Sequence, residues 1–145
     1  MTFVARMLLV TMLLSLGAIS VLGAQSPFSI NMTTSADLVR IGNPVEITMA
    51  ITNTSGQSRA ISVGDAEAYV FNIIDQTGRR ITQKFPSSGG TIAMGSLKPE
   101  QTIIETVDVD KLYDLAAPGS YHIQVQRNLG GDIITSNVIT VTVTE

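Results

Sequence analysis

The chain of 145 residues contains no cysteine, no tryptophan and a single histidine. Without cysteine, disulfide bonds, thiolate metal sites and a cysteine nucleophile are excluded, so packing alone must stabilise the fold. One histidine is too few for a zinc centre built from three or four histidine and cysteine ligands. The composition therefore favours a packed domain without redox or zinc chemistry.

Catalysis by the remaining side chains has little support in the sequence. A nucleophile needs a base beside it, and the alternation around His122 predicts that its imidazole points to solvent from a strand. The chain has no Gly-x-Ser-x-Gly segment. We predict no catalytic residue, no bound cofactor and no enzymatic activity.

Charged residues are sparse, at 14% of the chain, and the formal net charge is -3. Removing Arg6 with the N-terminal segment discussed next leaves 8 basic and 12 acidic residues, a net charge of -4. Nucleic acids and anionic membrane surfaces select basic patches. We therefore expect neither as a partner.

The N-terminal 24 residues contain a long uncharged hydrophobic run. It extends from Met7 to Ala24, follows Arg6 and ends in small residues, which is typical of a signal peptide cleaved after Gly23 or Ala24. An uncleaved membrane anchor is the alternative, although the run falls just short of the ~20 apolar residues that span a bilayer. We predict a signal peptide over residues 1–24, one domain over residues 25–145, and a secreted or periplasmic location. Membrane contact is expected only if the leader is retained.

Apolar and polar residues alternate with a period of two through most of the domain. The clearest runs cover residues 28–33, 45–52, 121–126 and 139–144. Residues 68–74 are apolar on both faces and are expected at the centre of their sheet. About seven or eight strands predict an all-β, antiparallel two-sheet sandwich of immunoglobulin-like type, with a closed barrel as the alternative.

Turn signals separate the predicted strands. Asp75-Gln76-Thr77-Gly78 predicts a β-turn and a hairpin into residues 79–81. Asn128-Leu129-Gly130-Gly131 predicts the turn between the last two strands, with glycines supplying positive φ. Residues 110–115 predict a single helical turn that crosses between the sheets.

Pro118-Gly119-Ser120-Tyr121 predicts a tyrosine corner. In that motif a tyrosine at a strand start bonds the backbone a few residues upstream and anchors a crossover between sheets. Tyr121 also begins the buried face of its strand. We therefore assign structural roles to Tyr121, Pro118 and Gly119.

The order of these segments resembles a known group of domains. Asn53-Thr54-Ser55 follows a long strand, then come Val70–Gly78, Leu97-Lys98-Pro99-Glu100 and Pro118–Tyr121. This layout, over residues 45–143, resembles secreted bacterial immunoglobulin-like domains and, less closely, the bacterial intracellular proteinase inhibitor family. The first resemblance implies a module that binds protein or glycan at the cell envelope. The second implies an exposed loop offered to a protease cleft.

Three carboxylates, Asp108, Asp110 and Asp114, cluster around the predicted crossing. Calcium favours several oxygen ligands, so this cluster is the candidate for a cation site. The spacing lacks the glycine-containing ligand loop of a strong calcium motif. We therefore predict no metal site, a solvent-facing Asp108, and an Asp110 that caps the helical turn.

Two loops are the candidate recognition sites, because loops on a rigid sandwich usually carry recognition. The first, residues 86–96, is rich in small residues and contains Ile92 and Met94. The second is the hairpin of residues 127–131, with Arg127 and Leu129 near its tip. The sequence thus predicts a non-catalytic binding module, with a secreted proteinase inhibitor as the alternative.

Overall fold

The structure is a computed structural model that describes residues 25–63, 69–84 and 93–145. The expected leader and the candidate Ile92 lie outside these residues. The described chain is almost entirely β. Its strands are β1 (Phe28–Thr34), β2 (Leu38–Arg40), β3 (Glu46–Asn53), β4 (Arg59–Val63), β5 (Tyr69–Asp75), β6 (Ala93–Leu97), β7 (Thr102–Asp108), β8 (Gly119–Leu129), β9 (Asp132–Thr135) and β10 (Ile139–Thr144), with one helical turn, α1 (Val109–Leu112). In these ranges no helix is long and apolar enough to span a membrane.

The first sheet has the strand order β1-β3-β7 and is antiparallel throughout. Its register follows from the alternation in the sequence, since buried residues face one another across the strands. Met32 pairs with Met49, and Met49 pairs in turn with Glu105 of β7. A shift of one residue would turn the apolar set towards solvent, so burial fixes the register.

The second sheet has the order β2-β10-β8-β5, and β9 also pairs with β8. Strands β9 and β10 lie end to end along β8: Thr135 pairs with Gln126, and Ile139 pairs with Ile123. Residues 136–138 between them belong to neither strand and form an interruption. A separate two-stranded sheet joins β4 to β6.

The interruption lets Asn137 reach across to the first sheet. Its Nδ2 donates a hydrogen bond to the Met32 carbonyl oxygen (2.9 Å), and the Met32 N–H donates to its Oδ1 (2.7 Å). The neighbouring Ser136 stays on the second sheet, where its Oγ accepts from the Val125 N–H (3.0 Å). The side chain of Asn137 therefore acts as one residue of an additional strand at the edge of β1.

The core lies between the sheets and is made mainly of Ile, Val and Met. Its fully buried side chains include Ile47, Met49, Ile51, Ile73, Ile123, Val125 and Val141. Each buried aliphatic side chain stabilises the fold by about 1.5–3 kcal/mol relative to its exposed state. The sequence-based prediction of an all-β, immunoglobulin-like sandwich is confirmed.

Two details of the sheet prediction are wrong. Strand β5 stands at the end of its sheet order rather than at the centre, and Val70 is 55% exposed. An apolar residue on the outer face of an edge strand cannot be distinguished by composition from one buried in a central strand. In addition, β2 runs parallel to β10, because the chain moves from the first sheet to the second between β1 and β2.

The predicted turns are present. The Gly78 N–H donates to the Asp75 carbonyl oxygen (2.9 Å), and the Ile81 N–H donates to that of Ile73 (2.9 Å), which closes the hairpin. Gly130 and Gly131 have φ of 64° and 100°. This second turn joins β8 to β9 rather than to the final strand. The α1 turn connects β7 in the first sheet to β8 in the second, as predicted.

Candidate interaction surface

Two candidate recognition residues, Arg127 and Leu129, are buried, at 1% and 4% exposure. The reason is that β8 keeps its inward alternation to its last residue, so both side chains continue the face begun by Tyr121. The expectation that they form an exposed loop is therefore wrong. Met94 is exposed, but it belongs to strand β6 rather than to a loop.

Arg127 is the centre of a buried polar cluster. Its Nη1 donates to Glu105 Oε2 (2.9 Å) and to the Tyr69 hydroxyl, and its Nη2 donates to the Ser62 carbonyl oxygen. The Tyr69 hydroxyl donates in turn to Glu105 Oε2. The cluster therefore joins strands β8, β7, β5 and β4, which belong to three different sheets.

The Arg127 cluster also includes a cation–π contact and a tyrosine whose pKa is shifted. The guanidinium carbon of Arg127 lies 4.4 Å from the centroid of the Tyr69 ring, within cation–π range. Burial, together with the hydrogen bond to Glu105, raises the pKa of the Tyr69 hydroxyl far above its usual value. Within the described residues, Arg127 Nε is buried without a hydrogen-bond partner. The cluster therefore connects strands of three sheets around a buried guanidinium.

The candidate calcium ligands point to three different partners. Asp108 forms an ion pair with Lys111, and Asp110 Oδ1 accepts from the Val45 N–H (2.8 Å). Asp114 Oδ1 accepts from the Ala116 N–H (3.2 Å). In the described part of the chain, no group of three or more His, Cys, Asp and Glu side chains could hold a metal ion.

The helical turn is not capped as expected. Its N-cap residue is Asp108, without a side-chain capping bond, whereas Asp110 lies in the first turn. The hydrogen bond from Lys111 to Asp108 raises the pKa of that ammonium group. The carboxylate of Asp110 instead fixes the start of β3 against α1 through Val45.

Tyr121 occupies the position expected of a tyrosine corner. Its hydroxyl donates to the Ala117 carbonyl oxygen (2.7 Å), and burial raises its pKa. Gly119 has φ +145°, and a Cβ there would lie 3.0 Å from the Gln76 amide. The segment that includes Pro118 thus packs closely against the hairpin turn, and the position of Gly119 requires glycine.

That hairpin turn carries a charged network around Asp75, whose side chain is 12% exposed. Its Oδ1 accepts from the Thr77 hydroxyl (2.6 Å) and the Arg79 N–H (3.0 Å), while Oδ2 pairs with Arg79 Nε (3.0 Å). The hydrogen bond from the Thr77 hydroxyl is the largest cause of a lowered pKa, about 2, for this carboxyl group. Both oxygens are engaged within the turn itself.

The outward side chains of strands β5, β8, β9 and β10 in the second sheet form a broad face without formal charge. We term it the uncharged face. Its outward side chains are Val70, Asn72 and Ile74 of β5; Ser120, His122, Gln124, Gln126 and Asn128 of β8; Ile133 and Thr135 of β9; and Thr140, Thr142 and Thr144 of β10. At one margin Leu38, which is 65% exposed, and Arg40 of β2 pair with Thr142 and Thr144, and at the other margin Arg80 bridges to Ile74.

Several polar groups of this face are paired along the sheet. The His122 Nδ1 lies 3.0 Å from Thr140 Oγ1, and the hydroxyl oxygens of Ser120 and Thr142 are 3.2 Å apart. Gln124 Nε2 donates to the Ser136 carbonyl oxygen (3.0 Å). These bonds connect polar side chains of β8 with β10 and with the segment that follows β9.

The outer face of the first sheet differs from the uncharged face because it carries two carboxylates at one end. Threonine hydroxyl pairs connect β3 with β7 here. At one end of these strands, Glu46 and Asp108 lie directly opposite each other. Ile104, which is 70% exposed, lies nearer the middle. Sequence reasoning missed the uncharged face because alternation identifies outward residues without showing which strands become neighbours.

No family model matches the sequence, and no curated protein matches it. Among solved structures, a CARDB domain from Pyrococcus furiosus in complex with di-metal ions is 13% identical. The match covers 81% of this chain and 87% of that one, with a TM-score of 0.45. The sporulation control protein Spo0M from Bacillus subtilis is 8% identical over 83% of this chain, with a TM-score of 0.48. The match spans about half, 51%, of the Spo0M chain. At these values the neighbours assign neither a family nor a function.

Proposed function

We propose that this protein is a non-catalytic, extracytoplasmic interaction module whose uncharged face binds another protein. The observation that carries this proposal is a broad sheet face whose formal charges lie at its margins, at Arg40 and Arg80, with Val70 and Ile133 exposed to 55% and 67%. Exposed aliphatic side chains on a rigid face favour association with another folded surface, and charged residues are depleted from interface cores.

A protein partner is favoured over a glycan. Ligand sites are commonly lined by aromatic side chains, and stacking on a sugar requires an exposed ring. The chain has no tryptophan, and its three tyrosines, Tyr69, Tyr113 and Tyr121, are all buried. Phe28 and Phe71 are buried as well, so among the described residues the uncharged face offers aliphatic side chains, amides, hydroxyls and the His122 imidazole to its partner.

The surroundings of His122 support a non-catalytic role. His122 lies on an open sheet face, so its imidazole is exposed to water, and its Nδ1 lies 3.0 Å from Thr140 Oγ1. Efficient catalysis requires preorganised charge stabilisation in a site from which water is excluded. A hydrolase assay that detects turnover abolished by His122→Ala would contradict this part of the proposal.

The proteinase inhibitor alternative loses its best candidate loop. An inhibitory segment must extend into a protease cleft, whereas Leu129 is buried and the connection to β9 is a tight glycine turn. We therefore do not propose inhibition.

Binding can be tested by capture from envelope extracts with the tagged exported chain. The wild type, Ile133→Asp and Ile104→Asp are compared, the last placing the same charge on the opposite face. We expect a specific protein to be retained by the wild type and by Ile104→Asp, and lost with Ile133→Asp. Identical retention by all three variants, or retention by none, would refute the proposed face.

Export can be tested separately by the intact mass of the chain recovered from the medium or envelope fraction. The proposal predicts a chain that begins at Ala24 or Gln25. A chain that retains residues 1–24 in the cytoplasmic fraction would contradict the extracytoplasmic role.

A further inference from the structure

We propose that the free edge of strand β7 pairs with the β7 edge of a second copy of this chain, so that two three-stranded sheets join into one antiparallel sheet across a twofold axis. This edge is separate from the uncharged face, and the inference goes beyond the proposed function. It follows from the direction of the backbone groups of β7, from the protection of the other sheet edges, and from a self-complementary residue pattern.

The backbone of β7 presents hydrogen-bonding groups at its outer edge. Strand β7 is last in the order β1-β3-β7, and no further strand of residues 25–63, 69–84 and 93–145 pairs with it. The Val109 N–H donates to the Val45 carbonyl oxygen (2.9 Å), and the Asn53 N–H donates to that of Gln101 (3.1 Å). Bonded and non-bonded pairs alternate along an antiparallel ladder, so the odd-numbered residues of β7 bond to β3. Its even-numbered residues therefore direct their N–H and C=O groups away from β3.

The other edges of the two large sheets are covered or short. At the β1 edge Asn137 bonds both backbone groups of Met32, and at the β5 edge residues 79–81 bond the end of the strand. Strands β2 and β9 have three and four residues. Strand β7 has seven, and its inward charge, Glu105, is compensated by Arg127 within the same copy. An exposed strand edge of this length is a template for pairing with another chain.

The residue pattern of this edge selects an identical partner. The even-numbered residues Thr102, Ile104 and Thr106 are all exposed and read the same in both directions. A twofold axis at Ile104 pairs this residue with itself, and Thr102 with Thr106 of the second copy. Each of these pairs exchanges two backbone hydrogen bonds, using the groups that face the free edge. Ile104, which is 70% exposed, then buries its side chain against its own counterpart.

The acidic end of β7 does not meet itself in this arrangement. Glu46 and Asp108 lie opposite each other at that end, and Asp108 forms an ion pair with Lys111. Antiparallel pairing separates the two Asp108 residues by eight positions, or about 27 Å, whereas charges act over ~8 Å at physiological salt. Each acidic end lies instead beside the turn of residues 98–101 of the other copy, which carries one lysine and one glutamate. A parallel arrangement would set the acidic ends side by side.

The first test is sedimentation equilibrium of the exported chain. An edge of seven residues buries less than the ~1,600 Å² of a standard interface, so we expect a reversible dimer with a dissociation constant of about 10–300 μM. Thr106→Pro removes an N–H at the free edge and keeps the ladder to β3, while Ile104→Asp sets two carboxylates opposite each other. Each should weaken the dimer by at least about tenfold. Ile133→Asp makes the same change on the uncharged face and should dimerise like the wild type.

The position of the twofold axis is tested by Ile104→Cys, in a chain that has no other cysteine. The proposed pairing places the two Cα atoms about 5.5 Å apart, within the range of a disulfide bond. Thr102→Cys is the matched control, because its two Cα atoms would lie about 14 Å apart. With oxidised glutathione, we expect Ile104→Cys to form a covalent dimer and Thr102→Cys to remain monomeric under denaturing electrophoresis. Equal cross-linking of both would contradict the pairing.

Circular dichroism verifies that each variant is folded. A wild type that is monomeric at all concentrations up to ~1 mM would overturn the inference, since even a weak specific pair forms below this value. A dimer that Ile104→Asp does not weaken would also overturn it. The two proposals fail separately, because Ile104→Asp is a monomer under this inference and still retains the protein that binds the uncharged face.

Discussion

The two sides of the sandwich are closed by different chemistry. On the β7 side, the guanidinium of Arg127 joins four strands through a carboxylate, a phenol and a backbone carbonyl. On the β1 side, the neutral amide of Asn137 pairs with both backbone groups of Met32. The Arg127 connection spans three sheets, and its charge is compensated only while its partners are present. The Asn137 connection consists of two hydrogen bonds between one side chain and the backbone of one residue.

This difference predicts unequal sensitivity to substitution. Removing one member of a buried ion pair leaves an uncompensated charge, while replacing the whole pair by apolar residues is often neutral. Removing a neutral amide leaves only unsatisfied backbone groups. Substitutions on the two sides should therefore separate the contribution of charge from that of hydrogen bonding.

The largest effect is expected for Arg127→Ala. It leaves Glu105 without its guanidinium partner and opens space beside Tyr69, so unfolding should become easier by about 3–5 kcal/mol. The double variant Arg127→Met/Glu105→Leu should recover most of this loss. Urea unfolding measures both, and a double variant as unstable as the single one would show that charge is not the cause.

Asn137→Ala should have the next largest effect. It removes two hydrogen bonds to Met32, at a cost of about 1–3 kcal/mol, without leaving a buried charge. Hydrogen exchange should then accelerate at Met32 in β1 and stay unchanged in β8. Equal acceleration in both strands would contradict a connection that acts locally on the edge of the first sheet.

Tyr69→Phe tests how the Arg127 cluster contributes to stability at alkaline pH. The raised pKa means that the folded state retains the hydroxyl proton more tightly than the unfolded chain. Its contribution is therefore complete below the ordinary tyrosine pKa of about 10 and is lost as pH rises above it. Tyr69→Phe should flatten the alkaline fall in the free energy of unfolding more than Tyr121→Phe does. An unchanged slope would contradict this.

The smallest effect is expected for Asp75→Asn, in the charged network of the hairpin turn, because the amide oxygen can keep part of the hydrogen bonding. The lowered pKa means that the carboxylate stabilises the fold above about pH 4, and that this contribution is lost as pH falls towards about 2. The variant should therefore lose part of the acid dependence seen in the wild type. A loss of stability at neutral pH as large as that of Arg127→Ala would contradict this order of effects.

The alternation in the sequence predicts strands β1, β3, β8 and β10, because each has one buried face. The prediction fails at Arg127, because a charged residue at the end of an apolar alternation is normally interpreted as the start of an exposed loop. The signal was present, since continuing the period from Tyr121 places Arg127 inside, and Glu105 interrupts the apolar face of β7. Their pairing could not be foreseen because the two residues become neighbours only when the two sheets pack together.

The burial of all three tyrosines, in a chain without tryptophan, makes the protein optically simple. Its ultraviolet emission comes from phenol rings in the interior, so unfolding can be followed without a label. In a mixture with another protein, any indole emission belongs to the other molecule. A shift in that emission would therefore report docking from the partner's side alone.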